Sequence, residues 1–175
     1  YPYPNINIDD VNNPGGGSSL GAAGSPQSNS SDGGTWAGLM STASSSTVTR
    51  GLKQEINFEA GKQYKIEFEQ ANYGYIYNST AEYTDSGKIE VYLAEGSVNF
   101  PSTLLGDGGE MTLGTGWNAA SLTYTATTTG PHTIAFKSEQ IGTNTGSYLV
   151  LDGFKVREVS GLDCTLDTDN DGTPD

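Results

Sequence analysis

Short stretches in which apolar and polar residues alternate, each closed by a glycine-bearing turn, recur along the chain, and no long stretch repeats at helical period. A strand sends successive side chains to opposite faces, so period-two alternation marks strands with one buried face. The clearest is Gln63-Tyr-Lys-Ile-Glu-Phe-Glu69, with Tyr64, Ile66 and Phe68 on one side and charges on the other. Lys88 to Leu93 repeats the pattern through Ile89, Val91 and Leu93; Leu122 to Ala126 and His132 to Phe136 repeat it again. Thr35 to Met40, Leu52 to Phe58 and an opening segment at Asn5 to Val11 are further candidates, with Leu52, Ile56 and Phe58 able to share an inward face. Tyr148 to Val156 is apolar almost throughout, as in a strand buried on both faces. Turns are expected at Glu59-Ala-Gly-Lys62, Thr84-Asp-Ser-Gly87 and Thr129-Gly-Pro131. About eight short strands of this kind predict an all-β chain, an antiparallel β-sandwich of the jelly-roll type. Residues 12–34 are rich in glycine and serine, with Leu20 the lone large apolar residue, and are expected to form a long irregular loop; loops of that length frequently bind a metal or ligand.

The last nine residues, Asp167-Thr-Asp-Asn-Asp-Gly-Thr-Pro-Asp175, place aspartates at alternate positions with a glycine directly after the third. Calcium takes six to eight oxygens at about 2.3–2.6 Å, and alternating short carboxylates let one tight turn aim several inward. Asp167, Asp169, Asp171 and Asp175 are the candidate ligands, and Gly172 permits the sharp reversal. The chain stops before the position at which an EF-hand places its bidentate Glu, and Pro174 argues against a following helix. The pattern resembles the thrombospondin type 3 repeat, an aspartate-rich calcium array that links modules of extracellular proteins. That resemblance implies a sandwich domain over 1–160, the start of a calcium-binding linker over 161–175, and a longer secreted or cell-surface chain around both. Tyr1-Pro-Tyr-Pro4 lacks the basic start and apolar stretch of a signal peptide, so any export signal is expected to lie upstream or to have been removed. Eight Lys plus Arg against 21 Asp plus Glu give a formal charge of −13, which disfavours nucleic acid and anionic membrane surfaces as partners. No apolar run approaches the roughly 20 residues of a spanning helix. The single cysteine, Cys164, permits no internal disulfide.

In order along the chain, the glycine- and aspartate-rich loop before Trp36, then Ala60-Gly-Lys-Gln-Tyr-Lys-Ile-Glu-Phe68, Lys88-Ile-Glu-Val-Tyr-Leu93, Thr129-Gly-Pro-His-Thr-Ile-Ala-Phe136 and Tyr148-Leu-Val-Leu-Asp-Gly-Phe-Lys-Val156 resemble the cleaved-adhesin and choice-of-anchor jelly rolls. They resemble more loosely the galactose-binding-like carbohydrate-binding modules. The likeness covers residues of about 35–158 and implies a structural calcium held by Asp152 of the last strand together with acids near the domain start. Asp9, Asp10 and Asp32 are the candidates for those partners; adjacent acids on one strand point to opposite faces, so only one of Asp9 and Asp10 can serve, and Asp10 is preferred as the residue before inward-looking Val11 at an expected strand end. The family often carries two aspartates in a row in this strand, where this chain has Asp152-Gly153. Independently of the likeness, a carboxylate between Leu151 and Gly153 in the most apolar segment needs either hydrogen bonds or a metal. Asp32, in Ser-Asp-Gly-Gly, also suits an ordinary turn.

Tyr73, Tyr75 and Tyr77 recur at period two, as three rings along one strand face would. Such rings stack on the apolar face of a sugar while neighbouring Asn72, Asn78 and Asp85 take its hydroxyls, or they pack the sandwich itself. Trp117, after Gly114-Thr-Gly116, is expected on a loop and joins these three as a candidate ligand contact; Trp36 shares the ambiguity. A catalytic triad would rest on His132, the lone histidine, which falls in an expected strand, and the chain has no G-x-S-x-G elbow. One His and one Cys serve zinc poorly. Glu67, Glu69, Glu82, Glu90, Glu95 and Glu110 offer carboxylates for a glycosidase, none in a distinguishing context. A non-enzymatic role is therefore expected. It is either a calcium-stabilised adhesin module recognising glycan or a host or matrix surface, or a spacer domain of a larger secreted protease or polysaccharide hydrolase.

Overall fold

A computed structural model describes residues 7–10, 30–31, 33, 35–41, 51–77, 80–143 and 146–159; within these, the side chains at 7–10, 35, 76–77 and 80–82 are not described. The acidic tail with Asp167, Asp169, Asp171 and Asp175, the loop aspartate Asp32 and Cys164 lie outside the described residues. Eleven strands follow in order: β1 (Asn7–Asp10), β2 (Thr35–Ser41), β3 (Leu52–Phe58), β4 (Gln63–Asn72), β5 (Tyr75–Tyr77), β6 (Thr80–Glu82), β7 (Ser86–Glu95), β8 (Leu104–Asp107), β9 (Asn118–Thr125), β10 (Gly130–Ile141) and β11 (Ser147–Glu158). Two antiparallel sheets form the sandwich, one in the order β1-β2-β11-β4-β9 and the other β3-β10-β7-β8. β5 and β6 make a separate hairpin.

Alternation in the sequence becomes the core directly. Tyr64, Ile66 and Phe68 of β4, Ile89, Val91 and Leu93 of β7, Ile134 and Phe136 of β10, and Leu149 and Leu151 of β11 are buried in one cluster between the sheets. Phe68 meets Phe136 edge to face at 5.4 Å, an arrangement the ring quadrupoles favour. Phe58 stacks on Tyr64 at 4.1 Å and closes one end. The opposite end is polar. Ser41 and Ser147 hydroxyls lie 2.8 Å apart beside Ser138, and the buried Asp85 carboxylate accepts from Gln140 and from the Gly146 amide. These bonds offset the cost of burying the hydroxyls and the carboxylate, while Gln140 Oε1 has no partner among the described residues.

The continuously apolar Tyr148–Leu151 half of β11 is buried on both faces, as expected, but the strand does not keep one parity. Asp152 pairs Glu69 and Lys155 pairs Glu67, so three steps on β11 match two on β4. Gly153, at φ 61°, supplies the left-handed backbone of this bulge. Beyond it, Phe154 and Val156 join the core in place of the odd-numbered residues before it.

Candidate functional site

The face of the five-stranded sheet turned away from the second sheet carries a second cluster of rings, separate from the core. Leu39, Leu149 and Leu151 point into the sandwich, so their neighbours Trp36, Tyr148 and Val150 point the other way, with Ala71 of β4 beside them. Together with Tyr73 these form a second buried cluster, against which Met40, Tyr75, Tyr83 and Trp117 pack half-buried. Tyr148 is fully buried and its hydroxyl crosses Gly38, where a β-carbon would fall 1.9 Å from it. Tyr75 stacks on Tyr148 at 5.4 Å with planes 27° apart and meets Tyr83 edge-on at 5.8 Å. Tyr73 meets Trp117 edge-on at 6.4 Å. Burial raises the Tyr73 phenol above its ordinary value, which keeps it neutral.

The three alternating tyrosines do not share one strand. Gly74, at φ 64°, ends β4 and starts the β5 hairpin, so Tyr73 falls to the floor of the cluster while Tyr75 stays half-exposed above it. The side chain of Tyr77 lies outside the described residues. Trp117 sits on the loop before β9, as its glycines suggest. Asn72 and Asp85 differ from the expectation that they meet a sugar: both are buried, because their hydrogen bonds hold the loops that bear the rings. Asn72 Nδ2 donates to the Asp85 and Met111 carbonyls, its Oδ1 accepts from the Gly74 amide, and its backbone binds Thr115 and Gly114. Asn72 thereby ties the segments that bear Tyr75, Tyr83 and Trp117 to a common frame, by its side chain at Gly74, Asp85 and Met111 and by its backbone at Gly114 and Thr115. Asn78 is outside the described residues.

The same face continues into carboxylates. Asp152 stands directly opposite Glu69, and a loop crosses above them: the Ser30 hydroxyl donates to Asp152 Oδ2, and the Ser31 amide donates to Glu69 Oε2 at 2.7 Å. Asp152 is therefore satisfied in part by hydrogen bonds, one of the two fates the sequence allows. Two carboxylates in facing positions repel unless a cation or a donor lies between them. In the ladder, Asp9 stands opposite Trp36, one residue past the last β2–β11 pair, Ala37 with Leu151; Asp10 stands opposite Thr35. Register thus puts Asp9, not the preferred Asp10, in the row of Trp36. No group of three or more acidic, histidine or cysteine side chains suited to a metal occurs among the described residues. Further along, Glu67 bridges Arg157 at 2.7 Å and Lys65 at 2.8 Å, and these cations, the guanidinium first, hold its carboxyl down to about 2.

Trp36 is 3% exposed, and its indole N–H has no hydrogen-bond partner among the described residues. His132 is fully buried between Phe58 and Tyr124, its Nδ1 3.1 Å from the Gly130 carbonyl, which places it inside the core and away from any surface at which a triad could act. An apolar cavity of about 360 Å³ lies at the flank near β3, lined by Leu52, Phe136, Leu151 and Phe154 with Asp152. Glu69, Tyr83, Tyr148 and the anchoring role of Asn72 escape local sequence reading. Glu69 looked like one more charge on a solvated face, and only its cross-strand position distinguishes it.

No family model matches the sequence, and no curated protein matches it. Among solved structures, the chain is similar to a carbohydrate-binding module described under "CBM4 structure and function", at 19% identity and TM-score 0.48, covering 87% of this chain and 86% of that one. It is similar to the K1 cleaved adhesin domain of Lys-gingipain from Porphyromonas gingivalis W83, at 13% identity and TM-score 0.43, covering 90% and 92%. It is also similar to the carbohydrate-binding module CBM36 in complex with calcium and xylotriose, at 14% identity and TM-score 0.38, covering 86% and 94%.

Proposed function

We propose that this chain is a non-catalytic glycan-binding domain, with its site on the outward face of the five-stranded sheet. The observation that carries this reading is the half-exposed set Tyr75, Tyr83 and Trp117, seated on the buried rings of Tyr73 and Tyr148 and continuous with the carboxylates of Asp152 and Glu69. Sugars present an apolar face to rings and hydroxyls to acceptors, so a patch with both, held rigid from beneath, suits them. The facing pair Asp152 and Glu69 supports calcium as a stabilising ion at the same edge, with further ligands from the N-terminal acids. A glycan site, an acidic surface and a calcium-loop tail together suit a secreted or cell-surface module of a larger chain, acting in adhesion or as an ancillary domain.

A panel of plant, bacterial and host polysaccharides, screened by affinity electrophoresis and then calorimetry, tests this. Tyr75→Ala and Trp117→Ala should each weaken the best ligand at least about fivefold, the scale of one lost stacking contact of roughly 1 kcal/mol, measured at a temperature at which a thermal melt shows each variant fully folded. Binding that survives both substitutions would remove the site from this face. No binding across the panel would leave the spacer role.

A further inference from the structure

The two sheets do not close completely between β2, β3 and β11. The ladder of β2 with β11 ends at Ala37 opposite Leu151, and directly beyond it β11 bulges between Asp152 and Lys155. Ala37 shares the inward face of Leu151, and its small side chain leaves room there. The result is the cavity of about 360 Å³, walled by Leu52, Phe136, Leu151 and Phe154. Its acid is Asp152, whose carboxylate accepts one bond among the described residues, from the Ser30 hydroxyl to Oδ2. Trp36 lines the same wall, one step past Ala37 as Asp152 is one step past Leu151. Lys53 stands at the rim, but its ammonium donates to the Val98 carbonyl at 3.0 Å.

We propose that this cavity is a second binding site, and that it takes an apolar amine: an alkyl or aryl body carrying a primary ammonium. It stands independently of the glycan reading, because its body is held by side chains between the sheets and not by the outward rings. Volume sets the size of that body. An apolar cavity of about 150 Å³ takes benzene, so one of this size takes roughly eight to twelve carbons. Burial sets the head. An occupant covers Asp152, and a carboxylate cut off from water is costly unless a donor meets it, so the occupant has to bring one. Indole is the ring that attracts a cation best, so Trp36 beside Asp152 selects an ammonium over a neutral hydroxyl. A carboxylate head would meet Asp152 as a like charge, on a chain already at −13.

Octylammonium, octanol and octanoate, titrated into the intact chain and followed by methyl NMR of Leu52 and Leu151, test this. Chelator is present throughout, because Asp152 also faces Glu69 in the pair proposed for calcium. Octylammonium should shift both sets of methyls saturably and bind at least about tenfold tighter than octanoate, the scale of one charge-assisted contact. Asp152→Asn should bring octylammonium down to the level of octanol. Ala37→Leu and Leu52→Phe each add atoms to the cavity wall, and each should weaken octylammonium about tenfold or more while a thermal melt shows the fold kept. If one of them fails to fold, the other decides. Methyls that octylammonium leaves unmoved at millimolar concentration overturn the inference. So does octanoate binding as tightly as octylammonium, a preference for the ammonium that survives Asp152→Asn, or binding that the filled variants retain.

Discussion

Replacing Gly38 by alanine should damage the aromatic face more than its single added methyl suggests. Alanine is ordinarily better than glycine in a strand, since it loses less backbone entropy on folding. Here the new β-carbon would lie 1.9 Å from Tyr148 Oη, 2.6 Å from Cζ and 3.2 Å from Cε1. These are not the far atoms of a free side chain: the Tyr148 ring is fully buried and Tyr75 stacks on it, so the ring cannot swing aside without lifting its neighbour. Overpacking of this kind costs about 1–3 kcal/mol. For a domain of this size that is a fall of about 2–12 °C in melting temperature. Urea unfolding monitored by tyrosine fluorescence, with the midpoint and slope read separately, measures it. Tyr148→Phe in the same background removes the nearest atom but leaves the 2.6 Å approach of Cζ, so the double variant should recover only part of the loss. Glycan affinity should fall together with stability, because Tyr75 rests on the displaced ring. An unchanged midpoint for Gly38→Ala would refute the reasoning, since it would mean that the ring moves freely.

Other outcomes follow from the charged part of the same face. Glu67, held at about 2 by Arg157 and then Lys65, contributes stability that is full above the ordinary carboxyl value of 4.5 and is lost as pH falls from there through 2. A carboxyl NMR titration of Glu67 should therefore have its midpoint near 2 and return toward 4.5 in Arg157→Ala; a wild-type midpoint near 4.5 would contradict the bridge. Millimolar calcium against chelator should add about 2.7 kcal/mol at a hundredfold excess over Kd, a rise of about 5–11 °C. Asp152→Asn and Glu69→Gln should each reduce that rise if the facing carboxylates hold the ion. A chain ending at Glu158 that keeps the full rise places calcium in the sandwich, whereas loss of the rise assigns it to the tail. Asn72→Ala should strip several buried groups of their partners, cost about 1–3 kcal/mol and loosen Trp117, seen as a red shift in its emission.

What was legible in the sequence is what local pattern determines. β4, β7 and β10 announce themselves by alternation, and Trp117 by the glycines before it. What was not legible depends on partners distant in the chain. The period-two tyrosines look like one strand because alternation is blind to the positive φ of Gly74 between them. Asn72 and Asp85 look like polar surface because nothing near them in sequence announces Met111, Gly146 or Gln140 as their partners. Glu69 becomes informative only once β11 is laid beside β4 in register, and that pairing joins residues distant in the chain. β8 and the β5–β6 hairpin are too short and too irregular to carry a period at all.

The bulge at Gly153 gives the last strand one residue more than its partner, and that surplus fixes which changes of length the strand can bear. A descendant that lost Gly153 would lose the bulge and nothing else: Asp152, Lys155 and Arg157 would stay on the outward face and Phe154 and Val156 on the core face, now in unbroken alternation opposite β4. One residue gained beside it would instead turn Phe154 and Val156 outward and send Lys155 and Arg157 toward the core. At that glycine the strand is therefore free to shorten by one and closed to lengthening by one.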